Sequence, residues 1–172
     1  VINYSDPRYS LRDAASASGF SLNTLRSNFQ RGWFRVIGGQ ASEVGGLPHM
    51  LSLRDVLHIA AAERLWEAGV HPEVAFRAAL NFAHAGGDDG PANFDRHPGG
   101  TFQSARTLLI YWPHERDAKF PGKVIAVPAD RPEILIDELF SPTASATADT
   151  AVVVDLEEVE FKVIRFLKAD AD

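Results

Sequence analysis

The sequence predicts an α+β protein made of two units. Residues 1–84 read as four helices plus a two-stranded hairpin, and residues 102–172 as a small α/β unit. Three observations predict this. Helix caps and glycine stops punctuate the first 84 residues at helical spacing. Apolar runs closed by proline, the mark of buried strands, begin after residue 105. Between the two lies AGGDDGPANFDRHPGGT (85–101), rich in Gly, Pro and Asp, which reads as a linker.

In the first unit Ser10 is placed to cap a helix on which Leu11, Ala14, Ala15 and Ser18 share a face, and Gly19 ends it. Ser21 caps a second helix with an apolar stripe of Leu22, Leu25 and Phe29. Asn23, Thr24, Ser27 and Arg31 fall opposite that stripe, and Arg26 at its flank can reach a phosphate or pair with Asp13. Gly32 closes the second helix. Residues 35–37 and 47–51 are expected as the two hairpin strands, around the glycine-bracketed tip GGQASEVGG. Ser52 starts a third helix, Leu53 to about Ala68, with Leu53, Val56, Leu57, Ala60, Ala61 and Leu65 apolar. Gly69 ends it, and Pro72 opens a fourth helix with Val74, Ala75, Ala78, Ala79, Phe82 and Ala83 on its buried face. The pattern is a helix-turn-helix with a wing. A helix so mounted is expected to enter the major groove of double-stranded DNA.

The net charge of −6 looks wrong for a nucleic-acid binder, but its distribution is uneven. Residues 1–40 hold five arginines (Arg8, Arg12, Arg26, Arg31, Arg35) against Asp6 and Asp13, a local charge of +3. Residues 81–172 carry −7, with nine basic and sixteen acidic side chains. Cysteine is absent, which excludes disulfides and thiolate metal sites. No apolar run reaches the ~18 residues of a membrane span, and residues 1–10 lack signal-peptide features, so a cytoplasmic protein is expected.

The order of the N-terminal elements resembles the MerR-type winged helix-turn-helix over roughly residues 8–82. The resemblance is carried by Tyr9-Ser10-Leu11, Ala14-Ala15, Gly19-Phe20-Ser21, Thr24-Leu25-Arg26, Gly32, Ser52, Asp55-Val56 and Gly69-Val70. It implies a dimeric transcription regulator that binds near-palindromic DNA, with the second helix in the major groove and the wing on the flanking backbone. By that carry-over Ser21, Asn23, Thr24 and Arg26 read or clamp DNA and Arg35 acts from the wing. The full set of expected contacts adds Ser27, Asn28, Arg31 and His49. Two departures stand out. Ser27 and Asn28 occupy positions where the family commonly has two tyrosines, and His49 and Leu51 stand where its wing carries Arg-x-Tyr. Both remove phosphate contacts and imply a lighter grip. Phage excisionases and small terminase subunits share the same winged unit and are an alternative reading.

The C-terminal half resembles nothing recognised. Residues 106–112, 123–127 and 151–154 read as strands, and 132–140 as a helix opened by proline. Asp155 and Glu158 are placed as a capping box for a last helix, with Leu156, Val159, Val163 and Leu167 on one face. Glu158 and Lys162 form an i, i+4 pair, and Arg165 and Lys168 occupy its last turns. Strands alternating with helices predict at least one parallel pairing. There is no phosphate-binding loop, nucleophile elbow or HExxH motif. His114 and Glu115 follow a strand end, where acid–base groups can sit, but adjacent loop residues usually point apart, so a polar turn is the expectation. Asp88 and Asp89, with His84 and His97 nearby, match no ligand spacing. No catalytic residue, metal or cofactor is therefore assigned. The C-terminal unit is expected to dimerise the protein or sense a small-molecule or protein effector. The competing class is a ligand-binding protein or enzyme whose winged unit only docks protein.

Overall fold

The computed structural model describes residues 3–36, 40–41, 48–85, 96–140 and 150–169. These residues form an α+β protein: helices α1 (Leu11–Ser18), α2 (Leu22–Gln30), α3 (Leu53–Glu67), α4 (Pro72–Ala83), α5 (Glu133–Phe140) and α6 (Leu156–Ala169). The strands are β1 (Gln40–Ala41), β2 (Pro48–Met50), β3 (Arg106–Tyr111), β4 (Lys123–Val127) and β5 (Val152–Asp155).

Local chemistry explains the helix boundaries. The Ser10 hydroxyl accepts the Asp13 N–H at 3.2 Å and the Asp13 carboxylate accepts the Ser10 N–H at 2.7 Å, a closed capping box at the start of α1. Ser52 and Asp55 repeat it at α3. Gly32 (φ 74°) ends α2 with a Schellman pair: its own N–H reaches the Phe29 carbonyl and the Trp33 N–H the Asn28 carbonyl.

Helix α3 is the axis of the molecule, packed against α1, α4, α6 and β5. It is buried nearly all round: beyond the stripe expected from the sequence, Asp55, His58, Ile59, Ala62 and Glu63 are also inside. A helix apolar on one face is a surface helix, whereas burial on every side needs a second layer. The C-terminal half supplies that layer. One continuous core runs from Leu11 and Leu25 through Leu57, Leu65 and Phe82 to Leu109, Val154, Leu156 and Val163.

The division at a linker over 85–101 is therefore corrected for residues 96–101. Arg96 is buried, and its guanidinium donates to the carbonyls of Phe82 (2.8 Å) and Asn81 (2.7 Å), satisfying the exposed end of α4. The Gly99 N–H also reaches the Phe82 carbonyl, at 3.0 Å. Asp88 and Asp89 lie outside the described residues.

The three-stranded sheet has the order β4-β3-β5, and both pairings are antiparallel. This corrects the parallel pair expected from the sequence. Strands β4 and β5 do run the same way, as a strand–helix–strand connection through α5 allows, but β3 lies between them. Leu109, Tyr111, Val124, Ala126 and Val154 face the main core. Leu108, Ile110, Trp112, Ile125 and Val127 face the other way and are covered by Leu135 and Leu139 of α5. Burial on both faces explains the unbroken apolar run in β3.

A further correction concerns the hairpin. Arg35 and Val36 are not strand residues; β1 begins at Gln40 and pairs with β2 in the register Gln40↔Met50 and Ala41↔Pro48. Phe34 explains the delay. It is 2% exposed, with its ring edge-on to Phe29 at 4.7 Å, so the chain leaving α2 is drawn into the helical core first. Ile37 and residues 42–47 of the expected wing lie outside the described residues. At α6 the expected capping box is half formed. Asp155 Oδ1 accepts the N–H groups of Glu157 (3.1 Å) and Glu158 (3.4 Å), while the Glu158 carboxylate pairs with Lys162 at 3.1 Å.

Candidate nucleic-acid interface

The surface of interest is the outer face of α2, and the turn before it sets its angle. Gly19 takes a left-handed conformation (φ 100°) and donates its N–H to the Ala15 carbonyl at 3.0 Å. The buried Phe20 ring stacks on Trp66 of α3 at 5.3 Å and on Phe76 of α4 at 6.0 Å. Glu63 of α3 lies under the turn, so that a side-chain carbon at position 19 would stand 3.4 Å from its carboxyl. Burial raises the Glu63 carboxyl towards neutrality; Arg64 at 3.4 Å opposes this and Glu67 adds to it, leaving the pKa at about 7.

Serine 21 caps α2: its hydroxyl accepts the Thr24 N–H at 3.1 Å and lies 2.7 Å from the Thr24 hydroxyl. Leu25 and Asn28 point inward, with Leu22 and Phe29 half-buried beside them. Asn23, Arg26 and Gln30 are exposed, and Ser27 is half-exposed. At 100° per residue these four share one side of the helix, opposite Leu25. From Ser21 to Arg35 the chain contains no acidic residue and three arginines, all exposed. The Arg31 guanidinium lies over the Trp33 ring at 4.7 Å, and Trp33 packs edge-on against His71 at 5.4 Å, which ties the end of α2 to the start of α4.

No protein-family model matches this chain, and a search of curated proteins finds no match.

The expected contacts thus divide. Asn23, Arg26, Ser27 and Arg31 lie together on or beside the open face, with Arg35 exposed just beyond it. Ser21 and Thr24 belong to the cap, and their hydroxyls engage each other. Asn28 is 3% exposed and faces the core, so it cannot reach DNA. Arg26 does not pair with Asp13, whose carboxylate is committed to the Ser10 cap; the guanidinium is left exposed. His49 falls within β2, and its side chain lies outside the described residues. Gln30 is the residue missing from the sequence reading. Its position on the wheel, on the side of Asn23 and Ser27, was the available signal.

The polar turn after β3 is structural. The Glu115 carboxylate accepts the Gly122 N–H at 2.8 Å, and Arg77 and Asn81 of α4 donate to carbonyls of Ala118, Pro121 and Gly122. This brackets the β3–β4 connection onto α4 and commits Glu115 to holding the loop. Among the described residues no group of three or more His, Cys, Asp or Glu is placed to hold a metal, and no helix is long and apolar enough to cross a membrane.

Proposed function

We propose that this protein is a sequence-specific DNA-binding regulator of transcription that reads the major groove with the outer face of α2. The observation that carries the reading is the face itself. Asn23, Ser27 and Gln30 can donate to and accept from base edges, while Arg26, Arg31 and Arg35 neutralise phosphates around them, with no acid between Ser21 and Arg35. The rigid mounting supports it as well. Phe20 between Trp66 and Phe76, and Arg31 over Trp33, hold the two ends of α2 at a fixed angle, as groove reading requires. The N-terminal end of α2 also presents the positive end of the helix dipole. The order of elements resembles that of the MerR-type winged unit, in which the wing following the second helix meets the flanking backbone; Arg35 would act from that side.

With only three arginines on this surface the non-specific grip is weak, so specificity must come from base contacts and from two copies binding together. The test uses the full chain, because α3 shares its core with both halves. Sites are selected from a random duplex pool. Enrichment of one motif, in two copies at a fixed spacing, is the expected result. A pool that stays random after repeated rounds would sink the reading.

A further inference from the structure

We propose that the outer face of α6 is a self-complementary docking surface on which a second copy of this chain binds through the same helix, antiparallel and two-fold symmetric. For its use the inference rests on the DNA-binding reading above, since it supplies the second reading helix. The interface itself is argued and tested without DNA.

The inner face of α6 is committed: Leu156, Val159 and Val163 are buried in the main core. Its rotation is fixed by Glu160, whose carboxylate accepts hydrogen bonds from the Tyr4 phenol and from the Thr101 hydroxyl, the latter at 2.9 Å. The outer face is not committed. Phe161 is 59% exposed, and with Ile164 it lines an open, mainly apolar groove of about 560 Å³ bordered by Glu157, Arg165 and Lys168. A phenyl ring left in water beside a second aliphatic side chain is an unpaid apolar surface.

The charges on this face say what covers it. Glu157, Phe161, Ile164 and Lys168 follow one another at intervals of four, three and four, the spacing of a coiled-coil seam. At 100° per residue they fall within roughly 60° of one another. They are also arranged symmetrically about a point between Lys162 and Val163. An antiparallel two-fold axis at that point sets Phe161 against Ile164 of the second copy, twice. The same axis sets Glu157 against Lys168 of the second copy, again twice. Acidic residues occupy the first turns of α6 and basic ones the last, so the antiparallel direction is attractive at both ends and the parallel direction repulsive at both. Neither Glu157 nor Lys168 has an ion-pair partner among the described residues. The isologous match of one patch to itself is what a closed dimer requires.

The test is sedimentation of the full chain over a micromolar concentration range, with circular dichroism to verify folding. Wild type should show a concentration-dependent dimer. Phe161→Asp, Glu157→Lys and Lys168→Glu should each shift it to monomer by tenfold or more. An equimolar mixture of the Glu157→Lys and Lys168→Glu chains should regain the dimer, because each ion pair is attractive again in the heterodimer. A wild-type monomer throughout, or a dimer indifferent to these changes, would overturn the inference. DNA binding by such a monomer would leave the proposed function standing. An intact, charge-dependent dimer with no affinity for DNA would sink that function and leave this interface.

Discussion

The carboxyl group of Glu63 lies directly beneath Gly19, the residue at which the chain turns from α1 into α2. The relationship joins the mount of α2 to the central helix of the fold. It also makes the turn sensitive to both substitution and pH.

Gly19→Ala places a side chain on a backbone with φ of 100° and 3.4 Å from the Glu63 carboxyl. The left-handed conformation alone costs about 1–2 kcal/mol for a residue with a Cβ. The expected result is a lower midpoint in urea unfolding with an unchanged slope. A variant as stable as wild type would contradict the strain assigned to this turn.

Glu63 has a pKa raised by burial to about 7, above its ordinary value of 4.5. A raised carboxyl contributes its full stability below the unfolded value and loses it as pH rises through the folded one. Glu63→Gln should therefore gain on wild type between about pH 4.5 and 7, by about 1–3 kcal/mol at alkaline pH, and match it in acid. Thermal unfolding of the pair across that range measures the divergence. Curves that run parallel at every pH would show that the carboxyl titrates normally.

His58 has the opposite sign. It is 1% exposed, its Nε2 lies 2.7 Å from the Phe76 carbonyl, and burial followed by its neighbour His84 lowers its pKa to about 3. Its contribution is present above the unfolded value of 6.5 and is lost as pH falls towards 3. Wild type should lose about 1.4 kcal/mol per pH unit from this group through that window. His58→Phe, which keeps a ring against Phe34 and Phe76, should flatten the acid limb, leaving the contribution of His84, also lowered by burial. An unchanged acid limb in the variant would remove His58 as its cause.

Asn23 and Asn28 separate groove contact from packing. Asn23→Ala should leave stability within about 0.5 kcal/mol and weaken binding to a selected site by about 1–3 kcal/mol, with little change on random duplex. Asn28→Ala should act through folding, because the side chain is buried. If both variants altered DNA affinity without altering stability, the orientation of α2 would be wrong.

The local elements were legible because they depend on neighbours in sequence. Ser10, Ser21 and Ser52 start their helices and Gly19 and Gly32 end theirs as their chemistry requires. The long-range arrangement was not. Nothing in the spacing of β4 and β5 reveals that β3 lies between them, and Arg96 in a glycine-rich stretch gives no local sign that it caps α4. Ile59 and Ala62 on the far side of α3 were the one trace of the shared core, since they make the helix apolar all round. On α2 the error was one of rotation. Asn28 lies a single 100° step from Ser27, and that step separates the core from the open face.

The central claim is that α2 binds DNA through its arginines and outer amides. It is tested most directly by the salt dependence of full-chain binding to a selected duplex. Affinity should fall with salt along a shallow log–log slope, and that slope should drop by about 0.9 per chain for each of Arg26→Ala, Arg31→Ala and Arg35→Ala. Binding whose slope is unaffected by all three changes, or no binding at low salt by a folded protein, would contradict it.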